Sequence, residues 1–231
     1  GFGPVVVSIP HAGRFYPQEI LDAARVSQDV LERWEDRWSD LIAADVVAAG
    51  GTTVQALAAR AVADCNRAED QMAAAEVDHS LKRRMAGVGD KERAGLGVIP
   101  TRLGREGALW KRPLDADSLE WRLNAVHRPY HHKLAQELAA AKARHGFAIL
   151  IDLHSMPSIG IGRIGYGQEL IVGDLFGSSG MPSLTQAAIQ MGLDMGLRVG
   201  LNRPYAGGDI LARHGSPDHH IYAVQLEWDR S

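Results

Sequence analysis

A doubly wound α/β fold, with a mostly parallel sheet covered by helices on both faces, is predicted by three observations on this 231-residue chain. Short β-branched and apolar runs alternate with stretches of helical periodicity, the pattern of strand–helix units. The run FAILI at 147–151, bounded by Gly146 and by Pro157, reads as a buried central strand. Several such runs end in polar or ionisable residues, and open α/β sheets collect ligands and catalytic groups at the carboxyl ends of their strands.

Taken in order, VVVSI at 5–9 is the first strand, and Pro10–His11–Ala12–Gly13 turns the chain sharply at its end. A short helix is expected over 17–26. A longer one is expected from about Arg37 to Ala49, starting near Asp36 and stopping at Gly50–Gly51. TTVQAL (52–57) and ARAVA (59–63) read as two further strands, the second running into Asp64–Cys65–Asn66–Arg67. Residues 71–113 show little clean periodicity and suggest an excursion or lid. Leu119, Leu123, Val126, Tyr130, Leu134 and Leu138 recur at helical steps, with Asp117 and Glu120 as a capping box and Pro129 as a kink or break. After the central strand come a Gly-rich loop at 158–168 and a strand at 169–172. A helix over 181–193, a strand over 196–201, a polar loop over 202–220 and a last strand at 221–227 follow. The whole reads as one domain.

Composition narrows the function. An apolar fraction of 45% and a net charge of −3 describe an ordinary soluble domain, with no basic field for nucleic acid or an anionic membrane. No apolar run approaches the ~20 residues of a membrane span, and GFGPVVVSIP lacks the shape of a secretory leader. A single cysteine, Cys65, excludes an intramolecular disulfide and fits a cytoplasmic setting. Oligomeric state is not written in any of these features.

The chemistry concentrates at strand ends. His11 and His154 each follow or close a strand, so both imidazoles can reach one edge of the sheet, where neutral histidine is a common zinc ligand. The competing reading is a pair of loop histidines with local hydrogen bonds. A third ligand would be a carboxylate. Asp36 is preferred, with Glu35 beside it still open, and the alternative for Asp36 is a helix N-cap. Glu227 closes an apolar strand, which suits either a general base in a cleft or a strand-end salt bridge. Asn66–Arg67 and Arg213–His214 suit the reading of anions, although isolated arginines are commonly solvated surface charges. GIGRIG at 160–165 fits G-x-G-x-x-G but is followed by a strand-like segment, which argues against a dinucleotide site.

Six blocks, SIPHAGRFYP (8–17), ADCNRAED (63–70), LHSMPS (153–158), VGDLFG (172–177), NRPYAGGDILARHG (202–215) and AVQLEWDRS (223–231), together resemble the N-formylglutamate amidohydrolase family. That family is similar in fold to zinc-dependent exopeptidases. The resemblance implies zinc, or another divalent metal, held by His11, Asp36 and His154, with Glu227 as general base. It implies Asn66 and Arg67 as the clamp on the substrate α-carboxylate, and Arg213 and His214 along the substrate pocket. Where the family reads D-W-H, this chain reads Asp36–Arg37–Trp38. The family pattern continues past the position of Ser231 with a short hydrophobic tail, which implies a longer natural chain. The implied activity is hydrolysis of N-formyl-L-glutamate to formate and L-glutamate in histidine degradation. Hydrolysis of another N-acyl amino acid or small peptide-like amide is the alternative within the same chemistry. A catalytically inactive protein that binds an amino-acid-like ligand is the alternative outside it.

Overall fold

The computed structural model describes residues 1–72, 77–79, 81–82, 89–158 and 167–230. The GIGRIG segment and most of the Gly-rich loop lie outside the described residues, as do parts of the 71–113 excursion. In chain order the strands are β1 (Val5–Ile9), β2 (Thr52–Gln55), β3 (Arg102–Leu103), β4 (Gly107–Ala108), β5 (Ala148–Met156), β6 (Leu170–Gly173), β7 (Val199–Leu201) and β8 (Ile221–Asp229).

The backbone falls into two compact units. The first comprises residues 1–10, 36–55 and 133–231, and the second residues 11–35 and 56–132. The first unit carries a six-stranded sheet in the order β2-β1-β5-β8-β6-β7. Every pairing is parallel except β6 against β8. This is the predicted mostly parallel α/β sheet, and the burial explains its sequence. Leu170, Ile171 and Val172 of β6, and Ala148, Leu150 and Leu153 of β5, are all buried, as expected of strands covered on both faces. β5 is the centre of the sheet. It runs on from the FAILI stretch through Met156, so Asp152 and His154 lie within the strand and not beyond it.

The expected helix from Arg37 to Ala49 is instead two short helices, Ser39–Ile42 and Ala44–Ala48. Trp38, in the left-handed region at φ 74°, is the cap of the first and provides no side-chain capping bond. The N-cap reading of Asp36 therefore does not hold.

The second unit has its own apolar core, built on Tyr16, Leu31, Trp34, Val62, Met72, Ile99, Leu109 and Leu119. ARAVA at 59–63 is not a strand: it is a turn whose Ala59, Ala61, Val62 and Ala63 are buried in that core. A buried turn has the same apolar composition as a short strand, and composition alone does not separate them. The helix Ala116–Arg122 begins two residues earlier than the Asp117 capping box suggests. Asp115 is the cap, and its carboxylate accepts from the Ser118 amide at 2.7 Å. Pro129 splits the long helical pattern as expected, with a π-helical turn, Leu123–His127, before the helix Arg128–His145. The π-turn absorbs the missing proline donor and re-aims the side chains that follow.

Candidate metal and catalytic centre

The first unit places the central strand's polar residues beside two neighbours. Strands β1, β5 and β8 are parallel, so their carboxyl ends share one edge. In register, Ser8 of β1 pairs with Asp152, and His154 of β5 pairs with Glu227 of β8. Because alternate residues of a strand share a face, Asp152 and His154 point the same way. The contacts follow from this. Asp152 Oδ2 lies 2.8 Å from His154 Nε2, while Ser8 Oγ donates to Asp152 Oδ1 at 2.7 Å. Asp36, 118 residues upstream, brings its Oδ2 to 3.0 Å from His154 Nδ1. Its Oδ1 accepts from Arg230 Nη2 at 3.3 Å.

Burial by itself would lower the His154 pKa. The Asp152 and Asp36 carboxylates, with Glu227 adding its charge, outweigh burial and hold it well above the ordinary histidine value. A buried imidazole with a carboxylate oxygen against each ring nitrogen is a place where positive charge is stabilised. The chemistry suits a cation: about 3.3 Å separates two ligand atoms that each lie ~2 Å from a tetrahedral zinc, close to the observed Asp36–His154 spacing. Glu227 is half-buried and accepts a hydrogen bond from Gln225 Nε2 at 3.0 Å.

His214 ends the helix Asp209–His214 and is buried, whereas Arg213 beside it is exposed. Burial and the neighbouring Arg213 charge lower the His214 pKa to about 4, against an opposing pull from Asp152. His214 is therefore neutral near pH 7.

The second unit holds His11, Asn66 and Arg67. His11 Nε2 meets Asp64 Oδ1 at 2.8 Å. The same carboxylate accepts from Arg60 Nε at 2.8 Å and from the Asn66 amide at 2.8 Å. Burial would raise the Asp64 pKa, but Arg60, His11 and Arg67 together hold it well below the usual carboxylate range. Gly13 is required two residues after His11, because a Cβ there would collide with the carbonyl of Ala58. Arg67 donates through Nε to Leu96 O at 2.9 Å and forms no ion pair among the described residues. Its own carbonyl is engaged by His127 Nε2 at 2.8 Å, delivered by the π-turn. Glu35, the open alternative for a metal ligand, accepts from the Tyr16 hydroxyl at 2.7 Å.

Three further residues bear on this chemistry. Asp152 and Asp64 each place a carboxylate on Nε2 of one predicted ligand histidine, and His127 fixes the Arg67 backbone. The sequence offered a signal only for Asp152, which sits two positions before His154 on a strand. His11, Asp36 and His154 are each buried.

An α/β sheet with imidazoles, carboxylates and a strand-end glutamate among its functional side chains defines the class of protein as a candidate hydrolase. Comparison with known proteins narrows the class. The family model for N-formylglutamate amidohydrolase matches residues 3–231, and the chain belongs to that family. It is 30% identical to an N-formylglutamate deformylase of Pseudomonas aeruginosa, over 97% of this chain and 79% of that protein. A Pseudomonas putida protein of the same description is 29% identical, over 99% of this chain and 80% of its own length. Among solved structures, an N-formylglutamate amidohydrolase from Ralstonia eutropha superposes with a TM-score of 0.91 at 29% identity, covering all of this chain and 83% of that one. An Agrobacterium tumefaciens gene product shares the fold, with a TM-score of 0.68 at 21% identity, over 98% of this chain and 81% of its own.

Proposed function

We propose that this chain hydrolyses the amide bond of N-formyl-L-glutamate, releasing formate and L-glutamate as a step of histidine degradation in the cytoplasm, and that the whole chain acts as one catalytic domain. The observation that carries the reading is the pairing of His154 with Glu227 in register, with Asp36 on the far nitrogen of the same imidazole. Family membership supports N-formyl-L-glutamate as the substrate.

His11, Asp36 and His154 would hold the metal, and two imidazoles with one carboxylate suit Zn²⁺ best among divalent ions. Each histidine has a carboxylate on Nε2, which leaves Nδ1 as the ligand atom and fixes the ring's orientation. A divalent cation held by these residues would supply Lewis acidity, lowering the pKa of water and polarising the formyl carbonyl. The remaining work falls to side chains. Glu227 takes the proton from the attacking water and returns it to the departing nitrogen as the C–N bond breaks. Arg67 and Asn66 clamp the α-carboxylate, with Arg213 toward the side-chain carboxylate and the neutral His214 along the pocket. Arg67 also lends charge to the tetrahedral oxyanion. Fixing both carboxylates sets the amide in position for attack.

The test is formate release from a panel of N-formyl and N-acetyl amino acids by zinc-loaded protein. Preference for N-formyl-L-glutamate by kcat/KM supports the proposal. Faster turnover of another N-acyl amino acid would replace the substrate, and no turnover of any would favour a binding protein.

A further inference from the structure

The second unit contains a cleft that the proposed chemistry does not use. An antiparallel bridge pairs Ala24 with Trp110: Arg25 N donates to Leu109 O at 2.7 Å, and Lys111 N donates to Ala23 O at 3.0 Å. Arg25 lines one hollow here together with Lys111 and Arg112. Two hollows of ≈ 410 Å³ and ≈ 150 Å³ share Trp110, Lys111, Arg112 and Pro113 in their walls. The larger is within the size range of small-molecule sites.

Arg122 lines the larger hollow and is only 2% exposed. Its guanidinium lies over the Trp110 ring, 4.4 Å from the centroid. Both of its hydrogen bonds come from Nη1, to Ala61 O at 3.3 Å and Val62 O at 3.4 Å, and its Nε is buried without an acceptor. No carboxylate forms an ion pair with it among the described residues. The Arg122 hydrogen bonds go only to neutral carbonyls, with the Asp115 charge acting on it from nearby, and an anion in the hollow relieves the remaining cost of burying a guanidinium. Two carboxylates border the cleft: Asp22 accepts from Gln18 Nε2, and Asp115 caps its helix while its charge also acts on Arg122. Arg25, Lys111 and Arg112 form no ion pairs among the described residues, and Lys111 Nζ reaches only the Asp22 carbonyl. Across the two hollows four cations are set against two carboxylates.

We propose that this cleft binds a small organic anion, whose carboxylate or phosphate group is received by Arg122 with Lys111 and Arg112 around it. The site is separate from Arg67 and does not depend on the hydrolytic reading.

Calorimetric titration of the zinc-loaded Arg67→Ala protein with glutarate and with inorganic phosphate tests it, since that background removes the other expected anion clamp. Saturable one-site binding of either probe is expected, weakened about tenfold or more by exchanging the exposed pair Lys111→Ala and Arg112→Ala. The same loss is expected for Arg122→Met in protein shown to be folded. Glutarate binding without phosphate binding identifies a carboxylate ligand, and the converse a phosphate ligand. Absence of saturable binding of both probes, or binding unchanged in the Lys111/Arg112 variant, overturns the proposal.

Discussion

His154 and Glu227 occupy the same register on adjacent parallel strands, so the proposed metal ligand and the proposed base are neighbours across one ladder rung. Two roles for Glu227 then separate cleanly. As a base it is needed for proton transfer and not for holding the ion. Glu227→Gln is expected to lower kcat by a factor of about 10² to 10⁴ while metal content, measured by atomic emission, stays at one ion per chain. Loss of metal would make Glu227 a ligand instead.

Asp152 and Asp64 are expected to act by orienting the ligand histidines. Asp152→Asn and Asp64→Asn should each weaken metal affinity by about 10- to 100-fold, read by competition with a chelating dye. Ser8→Ala, which removes the donor to Asp152, should have a smaller effect in the same direction. Unchanged affinity in both aspartate variants would leave these carboxylates purely structural.

The third ligand is testable against its neighbour. Asp36 lies on His154, whereas Glu35 is engaged by Tyr16. Asp36→Ala should abolish tight metal binding, and Glu35→Gln should leave it within a few-fold of the parent. The reverse ranking would exchange the assignments.

Arg67 is held by its backbone and by Leu96, with no carboxylate on its guanidinium among the described residues. Arg67→Ala is expected to raise KM for N-formyl-L-glutamate by at least about tenfold, the scale of one lost charge-assisted contact. An unchanged KM would remove it from the pocket.

Stability at low pH should depend on Asp174. Its carboxylate accepts from Asn202 Nδ2 at 2.8 Å, Gly177 N at 2.9 Å and Thr185 Oγ at 2.8 Å. Burial would raise its pKa, but these donors outweigh burial and lower it. A carboxyl whose folded pKa is depressed stabilises the fold fully above its unfolded value of ~3.9. That contribution disappears as pH falls through the folded pKa. Asp174→Ala is expected to cost at least about 2 kcal/mol at neutral pH, and the loss should shrink in urea titrations carried below pH ~4. A pH-independent difference would contradict this.

Much of the sheet was legible because its strands are buried runs ending in polar residues. His11, His154 and Glu227 stood out for that reason. Asp64 did not, because it lies 53 residues from His11 and only the fold joins them. ARAVA misled because a turn buried in the second unit's core has a strand's composition. The Arg37–Ala49 helix was overextended because helical spacing does not reveal the break at Ala43 between two short helices. Arg122 gave no signal at all: an arginine on an apolar helical face reads as solvated until its burial over Trp110 is seen.

The most direct test of the account is anomalous scattering at the zinc edge from crystals of zinc-loaded protein. The account predicts one strong peak per chain, ~2.0–2.2 Å from a ring nitrogen of His11, a ring nitrogen of His154 and a carboxylate oxygen of Asp36, with Glu227 beside it but not bound. A peak lacking either histidine as ligand, or no ordered zinc in that place, would contradict it.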